Sequence, residues 1–190
     1  KAIELVATTA ISDLSSFFIL RDTNGTTGGP FTVSQTLQLP GVSLAAGDFF
    51  YVYANETSET LLEGLGFGDI ATGTALRSNI ANLNGDDIFA VSTSTNPLDA
   101  IDGFGMLGQD DTDFYADSVA YRVPNSPSNP AGSFNAGNFN LSPYSEVGLN
   151  SAFGSYRVTA VPEPTSLLAM VGLGLAGGWI RRRRKCCSEL

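Results

Sequence analysis

The chain has 190 residues, 15% of them charged and 43% hydrophobic, with a formal net charge of −9 at pH 7. This length accommodates one domain and a short appendage but excludes a second full domain. Residues 1–160 hold five basic and seventeen acidic side chains, a formal charge of −12. The composition therefore argues against nucleic-acid binding, which requires Lys and Arg against the phosphates.

Short apolar runs rich in β-branched and aromatic residues predict the strands of a single domain. In chain order they lie at 3–7, 17–20, 31–33, 49–53, 88–91, 100–104, 118–122 and 156–159. Gly, Pro and Asn turns separate them. The run 49–53 is apolar on both faces and predicts a central strand, whereas 87–91 predicts a strand that buries one face and pairs with a neighbouring strand. The pattern predicts an all-β sandwich or barrel.

Two segments between the strands differ from simple turns. One helix is predicted from Glu56 to Leu65, with Ser58 as its cap. Residues 124–149 are rich in Asn, Ser, Pro and Gly, and they predict an ordered loop held by three isolated aromatic residues, Phe134, Phe139 and Tyr144. A flexible spacer is the alternative.

The C-terminal tail contains three parts in a fixed order. A proline-rich motif comes first, formed by Val161, Pro162, Glu163 and Pro164. Sixteen uncharged residues, 165–180, follow and predict a short transmembrane helix of roughly 24 Å. A basic cluster ends the tail, with Arg181, Arg182, Arg183, Arg184 and Lys185. The positive-inside rule places this cluster in the cytoplasm and the β-domain outside it.

The tail resembles the PEP-CTERM sorting signal of Gram-negative bacteria. The resemblance implies export, anchoring in the inner membrane, and processing by an exosortase in species that make extracellular polysaccharide. It divides the chain into a β-domain at 1–160 and a sorting tail at 161–190, and it predicts a final location at the cell surface or in the extracellular matrix. A simple C-terminal membrane anchor is the alternative. We also expect that an N-terminal signal peptide has been removed or is missing from the sequence.

Five segments of the β-domain form a second recognisable pattern, at residues 3–5, 11–20, 39–44, 82–88 and 100–105. Together they resemble a bacterial lamin-tail domain, and the resemblance extends to about residue 140. It implies an immunoglobulin-like sandwich followed by the single C-terminal helix. Ser16-Phe17 stands where the family usually has Gly-Trp. No cofactor is implied.

The residue content favours a protein without catalytic function. The chain has no histidine, and its two cysteines, Cys186 and Cys187, lie beyond the basic cluster, which excludes His-based nucleophilic and zinc chemistry. A hydrolase using carboxylates alone is the least favoured alternative, with candidates Glu4, Glu56, Glu59, Glu63 and Glu146. No spacing pairs any two of them.

Two binding functions stay open. An acidic run offers oxygen ligands for Ca²⁺ from Asp110, Asp111, Asp113 and Asp117, although an exposed solvated loop is the favoured interpretation. Aromatic residues that do not occupy strand positions could stack on sugar rings of a polysaccharide, with candidates Tyr115, Phe139 and Tyr144. We therefore predict a non-catalytic surface or matrix protein whose partner is a polysaccharide or another surface protein, with a Ca²⁺-dependent adhesion module as the alternative.

Overall fold

A computed structural model describes residues 1–23, 31–105, 115–131, 136–145 and 153–156. The chain divides into two compact units, Lys1–Val158 and Thr159–Leu190. All the described residues belong to the first unit, so the predicted transmembrane helix lies outside them. The predicted strand at 156–159 is also outside them except for Tyr156, which is not in a strand.

The described residues form nine strands and five helices. The strands are β1 (Ala2–Val6), β2 (Phe18–Asp22), β3 (Gln35–Gln38), β4 (Phe49–Tyr53), β5 (Ala75–Arg77), β6 (Ile88–Ser92), β7 (Ala100–Phe104), β8 (Ser118–Arg122) and β9 (Phe139–Pro143). The α-helix is α1 (Glu56–Gly64), and four short 3-10 helices are Leu14–Ser16, Asn79–Ala81, Pro97–Asp99 and Ala136–Asn138.

Within the described residues, these strands form three sheets. The first has the order β1-β4-β5, with β1 antiparallel and β5 parallel to β4. The second has the order β3-β2-β6-β7 and is antiparallel throughout. The third is the antiparallel pair β8-β9. The arrangement confirms the predicted all-β class.

One hydrophobic core joins the first two sheets, as in a β-sandwich. Ile3 of β1 and Phe50 and Val52 of β4 share this core with Ile19 of β2, and Phe89 of β6 packs against it. The side chains of a strand alternate between its two faces, so these sheets turn alternate residues toward each other. Burying a side chain such as Phe50, which has no exposed surface, stabilises the fold by about 1.5–3 kcal/mol.

Strand β4 is buried on both faces, which confirms the prediction of a central strand. Its other face presents Tyr51 and Tyr53, which pack with Leu62 of α1 and Val119 of β8. The helix thus covers the outer face of the first sheet. It occupies nearly the predicted range, but its cap is Asn55 rather than Ser58, because the Asn55 side chain accepts a hydrogen bond of 2.9 Å from the Ser58 backbone N–H.

Other predictions of secondary structure are wrong in detail. Residues 31–33 are not a strand. Phe31 is buried against the outer face of the second sheet, and the strand begins later, at Gln35. The predicted loop at 124–149 contains β9, which pairs with β8 from Phe139 onward. Both β3 and β9 are rich in polar residues, so their pairing comes from backbone hydrogen bonds that hydrophobic patterns do not reveal.

Candidate functional site

The predicted sorting residues all lie in the second unit, outside the described residues: Val161, Pro162, Glu163, Pro164 and the basic cluster at 181–185. No helix in the described ranges is long and apolar enough to cross a membrane. The described residues nearest to the motif in sequence are 153–156, which we term the C-terminal strap.

The C-terminal strap is held on the outer face of the first sheet. The ring of Phe153 lies 6.0 Å from the ring of Tyr51, with 17° between the planes, and 5.6 Å from the ring of Phe67. The backbone N–H of Gly154 donates a hydrogen bond of 2.6 Å to Glu4 Oε2. Gly154 has φ of 64°, a conformation that favours glycine. This contact was not predicted, because its only local signal in the sequence is an aromatic residue before a glycine.

Glu4 links the strap to the sheet electrostatically. Glu4 of β1 lies directly opposite Tyr51 of β4, and the two side chains are hydrogen-bonded. Burial raises the pKa of the Tyr51 hydroxyl well above its ordinary value, and the negative charge of Glu4 raises it further. Tyr51 therefore stays a neutral donor to the carboxylate that also accepts the strap's N–H.

The arginines of the described ranges all form ion pairs within the domain. Arg21 pairs with Asp87 at 2.8 Å in the interior. Arg77 of β5 pairs with Glu59 of α1. Arg122 of β8 pairs with Asp102 of β7, and its guanidinium lies 4.6 Å from the ring centre of Phe139. Because these cations are neutralised internally, the negative charge of the domain dominates the field at its surface.

The described carboxylates predicted as candidates for hydrolysis lie on two elements, Glu4 on β1 and Glu56, Glu59 and Glu63 on α1, and several have structural contacts. Glu4 holds the strap, Glu59 pairs with Arg77, and Glu63 accepts a hydrogen bond of 3.0 Å from the backbone of Ile70. Glu56 lies in the first turn of α1, where a negative charge complements the helix dipole. Glu146 lies outside the described residues.

Of the predicted Ca²⁺ ligands, Asp117 alone is described, and Asp110, Asp111 and Asp113 lie outside the described residues. Asp117 has φ of 49° and immediately precedes β8, and its backbone oxygen accepts a hydrogen bond of 2.7 Å from the N–H of Tyr144. Across the described ranges, no group of three or more acidic, His or Cys side chains is placed to hold a metal.

The three candidate aromatic residues have different environments. Tyr144 is 55% exposed, which agrees with a candidate surface role but not with its predicted role as an aromatic residue that holds the loop. Tyr115 is not available to a ligand, because it is buried, packs against Phe104 and donates a hydrogen bond of 2.8 Å to the Asp87 backbone oxygen. Phe139 is half-buried between Phe104 and the Arg122 guanidinium. The prediction of a surface role is therefore wrong for Tyr115.

The chain thus joins a β-rich domain to a C-terminal tail that carries a proline-rich motif, an apolar stretch and a basic cluster. Residues 160–185 match the family model of the PEP-CTERM protein-sorting motif. This motif implies export, anchoring in the membrane before processing, and processing there by an exosortase. The comparisons with curated proteins and with solved structures gave no match. The resemblance of the β-domain to a lamin-tail domain thus stays a prediction.

Proposed function

We propose that this chain is a non-catalytic surface protein, delivered through its sorting tail and displayed or released as a folded β-domain that associates with extracellular polysaccharide. The observation that carries the proposal is the match of the sorting motif at residues 160–185, directly after the β-domain. The lack of histidine in the sequence and the structural contacts of Glu4, Glu59 and Glu63 support a non-catalytic role.

Processing is tested by intact-mass measurement of the protein from membranes and medium of its native host. In a strain with the exosortase, we expect a species that ends near Pro164. In a strain without the enzyme, we expect only the longer protein, retained in the membrane fraction. Finding only the longer, membrane-bound protein in both strains would contradict processing and favour the simple anchor.

One face of β9 is our candidate for the polysaccharide contact. It presents the exposed Asn140 and the half-buried Ser142, and the exposed Tyr144 follows the strand. A tyrosine ring offers an apolar face for a sugar ring, while amide and hydroxyl groups bond to sugar hydroxyls.

The charge of the domain favours a neutral glycan. Residues 1–160 carry a formal charge of −12, and the three described arginines are already in ion pairs. An acidic polysaccharide would be repelled, whereas a neutral one would bind with little dependence on salt. The contact proposed here is therefore stacking and hydrogen bonding rather than ion pairing.

This contact is tested by retardation of the processed protein in gels that contain the host's polysaccharide. We expect Tyr144→Ala to lose most of the retardation, because the substitution removes both the stacking of the tyrosine ring on a sugar ring and the burial of its apolar surface. Leu98→Ala is the matched control, since Leu98 is 77% exposed and lies in the 3-10 helix Pro97–Asp99. Equal retardation of all three proteins would contradict the assignment to β9.

We further propose that the sandwich is of the immunoglobulin-like, lamin-tail type. The shared core of the two sheets and the coverage of β4 on both faces support this interpretation. An experimental structure of the domain tests this proposal. We expect both of its sheets to superpose on those of lamin-tail domains, and a different strand connectivity would contradict the proposal.

A further inference from the structure

The C-terminal strap is the last described contact between the folded domain and the chain that leads to the sorting motif. We infer that the docked strap fixes the length of the tether between domain and motif, and that this slows processing until the strap is released. The inference rests on the proposed processing by an exosortase. It concerns a step that precedes cleavage, which is access of the motif to a membrane enzyme.

The strap is anchored by two independent kinds of contact. Phe153 forms an aromatic cluster with Tyr51 and Phe67 on the outer face of the first sheet. The Gly154 N–H is bonded to Glu4, 150 residues away in sequence. The strap is nevertheless outside every strand and helix, so it is expected to open locally at lower cost than the sandwich itself.

The docked strap leaves a short tether. Five residues, 157–161, separate Tyr156 from Pro162, and even fully extended this connection spans at most roughly 20 Å. A compact unit of the size of Lys1–Val158 has a radius of gyration of about 15 Å. Even at full extension, the reach of this connection is therefore only comparable with the radius of a folded body of this size.

Release of the strap relaxes this restriction. It adds at least the four residues 153–156 to the tether, or roughly 13 Å of reach. An enzyme in the membrane must admit the chain around Pro162 and Pro164 in an extended form, because proline cannot continue a helix there. More reach between the folded body and these prolines therefore increases the access of the enzyme to the motif.

The experiment follows conversion of the full chain to its processed form by pulse-chase in the native host. Phe153→Ala weakens docking, and we expect processing to be roughly two- to tenfold faster, from the contribution of an aromatic pair. A six-residue Gly/Ser insertion between Val158 and Thr159 leaves the strap residues 153–156 unchanged and lengthens the tether, so it should accelerate processing as well. Leu98→Ala is the control, with an unchanged rate, since Leu98 is exposed and lies in the 3-10 helix Pro97–Asp99.

Hydrogen exchange tests docking directly. In the unprocessed protein from a strain without the exosortase, the Gly154 amide should exchange more slowly than an exposed amide, and Phe153→Ala should remove this protection. Equal exchange in both proteins would contradict the docked strap.

The outcomes separate the inference from the proposed function. Wild-type protein processed as fast as both variants would overturn the role of the strap while processing itself stands. Acceleration by Phe153→Ala without acceleration by the insertion would contradict the tether mechanism. A wild-type protein that is never processed in either strain would overturn the proposed sorting and, with it, this inference.

Discussion

The buried ion pair between Arg21 and Asp87 gives a quantitative test of the fold. Asp87 has no exposed side-chain surface, and Arg21 has 7%. Asp87 Oδ2 accepts hydrogen bonds from Arg21 Nη2 at 2.8 Å and from the backbone N–H of Asn84 at 2.9 Å. Arg21 also donates to the Asn79 backbone oxygen at 3.4 Å. The pair thus ties β2 to two connecting segments.

The substitution Asp87→Asn removes the charge but keeps an oxygen that can accept from Asn84. It leaves the Arg21 guanidinium buried without its counter-ion, which costs about 3–5 kcal/mol. A typical domain has about 5–15 kcal/mol of total stability, so the variant should lose a large share of it. The double variant Arg21→Met, Asp87→Asn removes the buried charge that has lost its counter-ion, and it should recover at least about 2 kcal/mol of the free energy of unfolding.

The free energy of unfolding is measured by urea denaturation of the processed protein. Far-UV circular dichroism is the suitable probe, since the single tryptophan, Trp179, lies in the tail. If Asp87→Asn costs less than about 1 kcal/mol, or if the double variant is no more stable than the single one, the attribution of the cost to an uncompensated buried charge is refuted.

Three further predictions address pH, metal and backbone. Burial and the nearby Asp87 raise the pKa of the Tyr115 hydroxyl above its ordinary value. A raised pKa contributes stability that is fully present below about pH 10 and is lost as the pH rises beyond it. Between pH 8 and 10.5, the free energy of unfolding in urea should therefore fall less for Tyr115→Phe than for wild type. About 2 mM Ca²⁺ should leave the melting temperature unchanged, and a rise that Mg²⁺ does not reproduce would favour the Ca²⁺-dependent adhesion module instead. Gly85 has φ of 120°, and an added Cβ would lie 2.8 Å from the Ala116 backbone nitrogen. Gly47 has φ of 90°, but no atom lies within 4 Å of its added Cβ. Gly85→Ala should therefore lower the free energy of unfolding more than Gly47→Ala does, and equal losses would show that the close approach is unimportant.

The candidate sites were predictable only where their signal is local. The proline-rich motif, the apolar stretch and the basic cluster are contiguous in sequence, so the sorting signal could be recognised without any fold. By contrast, Tyr115 is an aromatic residue in an acidic stretch, and its burial depends on Phe104 and Asp87, which come from other parts of the chain.

The sequence by itself determined the sorting signal, the all-β class and the strands with strong hydrophobic patterns. Strands β7 and β8 begin and end where predicted, and β4 is central because both its faces are apolar. Only the tertiary structure decided the polar strands β3 and β9, the pairing of Arg21 with Asp87, and the docking of the strap on Glu4. The physical reason is that each of these features depends on contacts between residues that are far apart in sequence. No local pattern of residues encodes such contacts.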